Sequence, residues 1–522
     1  MRIINISILF FLIVFFCENA LAQKNKQKSR QNEREGDLYF YSDDYANARL
    51  FYADAWKYDS SSAKLALKLG VSMYNLKNFK LQSLPYFEKA RSGKNPEIKF
   101  YLGNLYHLNG KFQEAIRMFT EYMNEKKKKI TNTEINGLIE KSNTAIELMK
   151  HPVNVKIENM GPVINSEYPD YVPLISADES KLIFTSRRAN STGGRLDANG
   201  DFFEDIYIST KKNGEWTTPV SIGDNLNSPS HDACVGLSPD GELLFLYKPS
   251  KNLLTGDLYF SVFAGNEWMA PIKLNTPINL DDYTESSASL SADGNTLYFS
   301  SDRPGGFGKK DIYRVTKFSN GEWSKPLNLG PQINTPDDDD SPFIHPNRKT
   351  LYFSSKGHKN MGGYDIFKTE YNPESGTWTD AENVGYPINT PDDDIFFVLS
   401  TDGKRGYYSS NHSGGFGGSD IYIIKLLDED LNLSICKGMV TSADSLKPMY
   451  ATITVTDIET GKLQGIYNTN PYTGKFIMIL TPEKKYSIFV EPYAGGYNSF
   501  SDTIVSFKSE EEVRVIKLNK LK

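Results

Sequence analysis

The 522-residue chain is too long for a single hydrophobic core, so two or more independently folded units are expected. Its 65 acidic and 59 basic residues give a formal net charge of −6, which excludes a general attraction to nucleic acid or anionic lipid. The 31 Tyr, 30 Phe, 39 Gly and 25 Pro are typical of turn-rich β structure, so a multidomain, mostly β protein is predicted.

Residues 1–22 have the layout of a cleavable secretory signal. Arg2 precedes an apolar stretch from Ile6 to Cys17, and Ala20-Leu21-Ala22 supplies the small residues of a cleavage site. Lipobox sequences have a small residue before the cysteine, whereas Phe16 stands here, so lipidation of Cys17 is not predicted. The rest of the chain has no run of about 18 apolar residues, so no membrane span is expected.

Residues 31–150 carry a helical repeat. Gly36, Gly70 and Gly103 are 34 and 33 residues apart, and small and aromatic residues recur around them. The period resembles that of tetratricopeptide (TPR) repeats, which implies three helix pairs in a short solenoid. Residues 134–149 continue at helical spacing and predict a capping helix. A peptide-binding groove and a rigid spacer are equally open as roles for this segment.

A longer period governs residues 151–427. A triplet of Asp, an apolar residue and an aromatic recurs five times, beginning at Asp205, Asp257, Asp311, Asp365 and Asp420. A tryptophan follows each of the first four triplets, at Trp216, Trp268, Trp323 and Trp378. Each repeat contains alternating strands and tight turns, and therefore predicts one four-stranded blade of a propeller.

The missing last strand of the fifth repeat is expected from the other end of this segment, because Val155 to Asn165 resembles Leu327 to Asn334. The repeats resemble the WD-like, TolB-type propellers of many exported proteins of Bacteroidetes. The matching residues are Ser238-Pro239-Asp240-Gly241, the strand Leu351 to Ser355, and the triplet at Asp311. The count predicts a five-bladed β-propeller; six blades would need a divergent repeat that is not found.

Two acidic features are candidate calcium sites. Asp337 to Asp340 and Asp392 to Asp394 follow a repeated Ile-Asn-Thr-Pro, and their carboxylates could bind Ca²⁺ or cap blade turns by accepting backbone N–H groups. A loop inserted in the first repeat has a start similar to calcium-binding loops but a misplaced glycine. Its candidate metal ligands are Asp197, Asn199, Asp201 and Glu204. No other cofactor is predicted.

No catalytic constellation stands out. The chain contains neither G-x-S-x-G nor H-E-x-x-H, and its six histidines are scattered. The glycine-rich segments at Gly305 and Gly414 lie between predicted strands and are interpreted as hairpin glycines. A non-enzymatic protein is therefore predicted. Two alternatives stay open: a propeller hydrolase or lyase that uses rim carboxylates, and a glycan-binding propeller.

Residues 434–522 predict a small antiparallel sandwich. Ala451 to Val455 and Tyr486 to Val490 alternate between apolar and polar residues, with turns between them. The segment resembles the regulatory-like domain of carboxypeptidases, which implies a transthyretin-like β-sandwich without catalytic residues. Cys234 and Cys436 lie in different predicted modules, and no disulfide between them is predicted.

The order of the modules resembles exported Bacteroidetes proteins that include PorE-type components of type IX secretion, although the OmpA-like domain of those proteins is absent here. The resemblance implies a periplasmic or outer-membrane-associated scaffold that binds envelope proteins, including secretion-system components. Contact with peptidoglycan would then be indirect.

Overall fold

A computed structural model describes residues 23–197, 200–250, 254–412, 414–427, 431–507 and 513–521. The predicted signal segment therefore lies outside the described residues. The chain forms two compact units: one ends at Ile146 and includes Leu196–Asp201, and the other comprises Glu147–Arg195 and the chain from Phe202 onward. Among the described residues, no helix is both long and apolar enough to cross a membrane.

The first unit is built from paired helices. Two single 3₁₀ turns, Lys77–Phe79 and Leu81–Ser83, interrupt the second pair. The helices are α1 (residues 23–40), α2 (Tyr45–Tyr58), α3 (Ala63–Tyr74), α4 (Leu84–Ala90), α5 (Glu97–Leu108), α6 (Phe112–Met123) and α7 (Asn132–Lys150).

The repeated glycines explain how the helices of each pair approach closely. A Cβ at Gly36 would lie 2.6 Å from the Tyr52 ring, and one at Gly103 would lie 2.5 Å from the Phe119 ring. Gly70 occupies the equivalent place against Phe87. Ile135 of α7 belongs to the same core as Phe119, so the last helix covers the apolar face that the third pair leaves open.

Five small antiparallel sheets follow. The first contains β2 (Asp170–Ile175), β3 (Lys181–Ser186), β4 (Asp205–Lys212), β5 (Glu215–Trp216) and β6 (Val220–Ser221). The second contains β7 (Ala233–Leu237), β8 (Leu243–Pro249), β9 (Gly256–Val262) and β10 (Ile272–Lys273). The third contains β11 (Glu285–Leu290), β12 (Thr296–Ser301), β13 (Asp311–Thr316) and β14 (Leu327–Asn328). The fourth contains β15 (Asp339–Ile344), β16 (Thr350–Ser355), β17 (Asp365–Asn372), β18 (Thr377–Trp378) and β19 (Glu382–Asn383). The fifth contains β20 (Asp394–Leu399), β21 (Arg405–Ser410), β22 (Asp420–Leu426) and β1 (Val155–Asn159).

The sheets follow one another in a closed ring. The first strand of each sheet contacts the first strand of the next, and β20 of the last sheet contacts β2 of the first. The ring is closed within the fifth sheet, where β1 pairs antiparallel with β22 and Val155 lies opposite Leu426. The predicted supply of a strand from the N-terminal end of the segment is confirmed.

The inner strands β2, β7, β11, β15 and β20 line the centre of the ring. Val172, Ala288, Phe343 and Phe397 are among the side chains that fill it, and they leave a cavity of only about 30 Å³. A cavity of this size has room for about one water molecule. The centre of the ring is therefore a packed apolar core, and a ligand of the ring has to bind at one of its ends or on its rim.

Two further sheets complete the second unit. One has the order β26-β23-β29 and the other β25-β24-β27-β28. They share a core that includes Cys436, Ile453, Tyr486 and Ile516. The strands are β23 (Ser434–Ser442), β24 (Ala451–Asp457), β25 (Leu463–Asn468), β26 (Lys475–Leu480), β27 (Lys485–Pro492), β28 (Phe500–Val505) and β29 (Arg514–Leu518). Cys234 and Cys436 are both buried, each in a different hydrophobic core.

Candidate functional site

Each inner strand begins with, or directly follows, a buried carboxylate that caps the preceding turn. Asp339 accepts the Thr335 N–H at 2.5 Å, and Asp394 accepts the Thr390 N–H at 2.6 Å. Asp170, Asp232 and Glu285 accept backbone N–H groups in the same way. Five-fold repetition of one local bond is typical of a structural role, so these acids are turn caps.

The remaining acids of the Asp337 to Asp340 turn are paired with lysines. Asp337 lies 3.2 Å from Lys309, and Asp338 lies 3.0 Å from Lys356. Two carboxylates that the sequence offered as calcium ligands therefore already have cationic partners. The lysines are distant in sequence, in the loops that follow β12 and β16, so only the fold brings them to these carboxylates.

The aspartates of the repeated triplets are also structural. The N–H groups of Phe307 and Gly308 donate to Asp311, and those of Phe416 and Gly417 donate to Asp420. The glycine-rich segments are loops between strands, as predicted, and these four N–H groups are bonded within the chain.

The side chains that follow the capping acids surround one end of the ring, here called the ring mouth. They occupy equivalent positions and are Tyr171, Ala233, Ser286, Asp340 and Ile395. Only Tyr171 and Asp340 carry a group that is ionisable, and each lies in a polar cluster. These two clusters form the candidate site.

The first cluster is centred on Glu204, which directly precedes β4. Its carboxylate lies 2.9 Å from Arg187 Nη2 and 2.7 Å from His231 Nδ1, and it accepts a short hydrogen bond from the Tyr171 hydroxyl. Burial alone would raise the pKa of Glu204, but the bonds from His231, Arg187 and Tyr171 lower it to about 2. Glu204 is therefore ionised at neutral pH.

The Glu204 cluster is accessible. The side chains of Glu204 and His231 are each 19% exposed, and that of Arg187 is 18% exposed. The ring of Phe203 stacks on His231 with centroids 4.1 Å apart, which holds the imidazole against the carboxylate. Burial and the nearby Glu204 raise the pKa of Tyr171 well above its usual value, so its hydroxyl keeps its proton.

The second cluster is centred on Asp340. Its carboxylate lies 2.8 Å from Lys310 Nζ and accepts hydrogen bonds from the hydroxyls of Ser287 at 2.5 Å and Ser286 at 3.0 Å. Burial opposes ionisation of Asp340, but Lys310 and these donors lower its pKa. Asp340 is therefore a second ionised carboxylate at the ring mouth.

Tyr247 of β8 connects the two clusters electrostatically. Burial raises the pKa of its hydroxyl, Lys310 lowers it and Glu204 raises it. A single hydroxyl thus interacts with the cation of one cluster and the anion of the other.

The backbone beside both clusters is strained. Val172 and Ser341 directly follow Tyr171 and Asp340, and their φ angles are 55° and 53°. Both residues lie in register shifts of the inner strands, between Tyr171 and Leu174 and between Asp340 and Phe343. A β-branched valine in the left-handed region costs about 1–2 kcal/mol. Phe396, which follows Ile395 in the fifth sheet, has a φ of 61° in the same kind of register shift, so the strained bulge recurs among the inner strands and is not specific to the two clusters.

The predicted calcium loop is only partly described. Asn199 lies outside the described residues. The backbone N–H of Asp201 donates to the Asp197 carboxylate at 3.1 Å, and Glu204 is held by Arg187 and His231. Within the described ranges, no group of three or more His, Cys, Asp or Glu side chains is arranged to hold a metal ion. Calcium binding by this loop stays a prediction, for which a calcium titration of the thermal midpoint is the test.

Inspection of the repeats missed Tyr171, Arg187 and His231. The sequence feature that could have indicated this site is a difference between repeats: Tyr171 stands where other repeats have Ala233 or Ser286. That signal is weak because most departures in a repeat only adjust packing.

The ring of small antiparallel sheets defines the chain as a propeller-like β protein. No protein-family model matches the sequence, and no curated protein matches it. Among solved structures, an α-L-arabinofuranosidase from Lactobacillus brevis is similar, with 12% identity and a TM-score of 0.32, covering 51% of this chain and 91% of that one. An endo-arabinase from Bacteroides thetaiotaomicron has 14% identity and a TM-score of 0.32, covering 51% and 97%. The β-propeller domain of the Trilobed protease from Pyrococcus furiosus has 11% identity and a TM-score of 0.25, covering 66% and 99%.

These comparisons overturn the prediction of a non-enzymatic scaffold. The similar structures named above include an arabinofuranosidase and an arabinase. Likeness at this level concerns the fold alone. A reaction for this chain has to be argued from its own residues.

Proposed function

We propose that the chain is a β-propeller hydrolase that acts on glycans, with its reaction centre at the ring mouth. The observation that carries the proposal is the Glu204 cluster: an ionised, partly accessible carboxylate held by Arg187, His231 and Tyr171. Ionisable groups with strongly shifted pKa values in a cleft are typical of functional sites. Glu204 is absent from the repeated turn-capping bonds, so blade architecture does not account for it.

Each of the three folded segments also corresponds to a known type of fold in this proposal. We infer a five-bladed propeller, a TPR-like solenoid and a transthyretin-like sandwich. The five sheets with one closing strand support the first, the three glycine–aromatic helix pairs support the second, and the two sheets with a common core support the third.

The chemistry of the two clusters fits hydrolysis of a glycosidic bond. That reaction needs a carboxylate that activates water or attacks the sugar, and a group that protonates the leaving oxygen. Glu204 and Asp340 are the ionised carboxylates, and the His231 imidazole is the proton donor beside Glu204. The Tyr171 hydroxyl orients the Glu204 carboxylate through its hydrogen bond. Water adds across the broken bond, and the proton goes to the departing sugar oxygen.

The test is a hydrolysis assay on purified protein. The panel contains arabinan, arabino-oligosaccharides, levan and a β-glucan, with release of reducing ends as the readout. The similar arabinofuranosidase and endo-arabinase are the reason for including arabinan and its oligosaccharides. We expect the variants Glu204→Gln and Asp340→Asn each to lower the rate about 10²–10⁴-fold, the usual contribution of an acid or base.

The control variant is Asp281→Asn, which changes an exposed carboxylate on a loop before β11. It is expected to keep the wild-type rate. No turnover of any glycan by the wild-type protein would contradict the proposal. Full activity of Glu204→Gln would remove Glu204 from the reaction centre and contradict it as well.

Export and an envelope location, with envelope proteins as partners, stay predictions. They are motivated by the sequence of residues 1–22. Fractionation of cells that express the full chain tests them: a cytoplasmic protein with residues 1–22 intact would contradict export.

A further inference from the structure

A second cavity lies far from the ring mouth, between the ring and the C-terminal sheets. Its ring side contains Ser238 and Ser291, which directly follow β7 and β11 at the ends opposite to the mouth. The volume is about 330 Å³, within the roughly 300–1,000 Å³ of small-molecule sites. The walls are mostly apolar and include Leu243, Phe260, Leu290, Trp323, Tyr467 and Ile477.

Hydrogen bonds tie the two walls together at two separate places. At one, Thr473 Oγ1 donates to Glu242 Oε2 at 2.7 Å and Asn470 Nδ2 donates to the Phe263 carbonyl at 3.0 Å. At the other, Asn295 Nδ2 donates to the Ile466 carbonyl at 3.3 Å. Because the walls are fixed by these bonds, the cavity is preformed and is not closed by collapse of its apolar lining.

The charged groups of the lining already have partners within the chain, and the Asp240 carboxylate accepts hydrogen bonds from the Ser238 hydroxyl and the Glu242 N–H. Asp293 pairs with Arg348 at 2.9 Å, Glu242 lies 3.5 Å from Lys475, and Lys317 lies over the Trp323 ring at 5.6 Å. A charged ligand would have to break one of these pairs or remain unpaired in an apolar space. The cavity therefore favours a neutral ligand.

Aromatic faces indicate the shape of that ligand. Tyr450 lines the cavity and stacks on Tyr493, with centroids 4.2 Å apart and planes 14° apart. Tyr493 is 64% exposed, so the stacked pair extends from the cavity lining to solvent. Flat rings pack well against such faces, and aromatic pairs gain about 0.5–1.5 kcal/mol beyond burial.

We propose that this cavity binds a neutral aromatic molecule of about two rings, sized by the cavity volume. The rings pack against Trp323 and Tyr450, and the aliphatic walls cover their edges. A single N–H or O–H of the ligand donates to Asp240 or Asp293 at the polar edge. The inference stands apart from the proposed hydrolase activity, because none of its residues belongs to the ring mouth.

The experiment is a fluorescence titration of the full chain with N-phenyl-1-naphthylamine, a neutral two-lobed aromatic probe whose emission rises in apolar surroundings. Saturable binding of one probe per chain is the expected result. The variant Leu290→Trp fills the cavity and is expected to weaken binding by roughly tenfold or more, equivalent to a free-energy change of about 1.4 kcal/mol.

The matched control is Leu446→Trp, which places the same residue at a 60% exposed position of the C-terminal module and is expected to bind like the wild type. Trp323→Ala removes one aromatic face without filling the space, so it should also weaken binding. Circular dichroism and thermal midpoints establish that each variant is folded. Unsaturable emission overturns the proposal, and so does equal affinity of the Trp323→Ala and Leu446→Trp proteins.

Discussion

The side-chain amide of Asn165 binds both backbone groups of Ile421, 256 positions along the chain. Ile421 N–H donates to Asn165 Oδ1 at 2.9 Å, and Asn165 Nδ2 donates to the Ile421 carbonyl at 2.9 Å. The same two bonds recur in every other sheet, in the pairs Asn227–Ile206, Asn279–Leu258, Asn334–Ile312 and Asn389–Ile366. The equivalent asparagines bind residues only 21 to 23 positions away, whereas Asn165 makes the same two bonds across the closure of the ring.

Replacement of Asn165 should weaken the closure. Asn165→Ala removes the acceptor of the buried Ile421 N–H and one of the two donors to the Ile421 carbonyl, the other being the Met160 N–H. We expect a loss of about 1–3 kcal/mol in the free energy of unfolding. Denaturant unfolding followed by tryptophan fluorescence measures it. Asn320→Ala, in an exposed turn, is the control. Equal stability of the two variants would show that Asn165 does not contribute to closure.

Alanine substitution should lower the free energy of unfolding at Gly103 and raise it at Gly137. Gly103→Ala places a Cβ 2.5 Å from the Phe119 ring, and overpacking of this kind costs about 1–3 kcal/mol. Gly137 has no atom within 4 Å of an added Cβ and lies inside α7, so Gly137→Ala should stabilise by about 0.5–1 kcal/mol. Thermal unfolding followed by far-ultraviolet circular dichroism, which reports helix content, measures the stability of both variants. A stable Gly103→Ala protein would contradict the close helix packing.

Asp339 should make stability depend on pH. Burial raises its pKa to about 7, whereas an aspartate in an unfolded chain titrates near 3.9. Between these values the unfolded chain loses the proton and the folded chain keeps it, so Asp339 lowers stability as pH rises from about 4 to 7. Asp339→Asn removes this titration. The variant should gain stability relative to the wild type as pH rises. Denaturant unfolding at pH values of about 4, 5.5 and 7 measures this difference, because they span the unfolded and folded pKa values of Asp339. A constant difference across that range would contradict the raised pKa.

Arg187 and Glu204 should be energetically coupled. A double-mutant cycle with Arg187→Met and Glu204→Gln isolates their interaction, and we expect a coupling energy of about 1–3 kcal/mol because both side chains are mostly buried. The exposed pair Lys57–Asp54 provides the comparison, with an expected coupling of about 0.2–1 kcal/mol. Additive effects of the Arg187 and Glu204 variants would mean that Arg187 does not hold the carboxylate.

Repeated features of the fold were open to prediction from the sequence. Gly36, Gly70 and Gly103 indicated the helix pairs, and the triplets that begin at Asp205 and Asp311 indicated the sheets. A repeated residue indicates a local structural requirement, such as a close helix contact or a capped loop, because each repeat needs the same residue type for the same contact. The closing strand was predictable for the same reason, since Val155 to Asn165 repeats a segment found elsewhere in the chain.

The candidate site was not open to prediction in this way. Glu204 was singled out as a calcium ligand, but the fold places it against Arg187 and His231, which lie 17 and 27 positions away. The acidic turn at Asp337 to Asp340 looked like one feature in the sequence. The fold makes Asp339 a buried turn cap with a raised pKa and Asp340 an ionised partner of Lys310.

The sequence by itself determined the two repeat periods, the helices and strands within them and the strand that closes the ring, because each depends on neighbouring residues and on a pattern that recurs. Only the tertiary structure decided which carboxylates are buried and which are paired. It also decided that a cavity remains between the ring and the C-terminal sheets. Ionisation and cavity shape depend on atoms brought together from distant parts of the chain, and local sequence does not encode those distances.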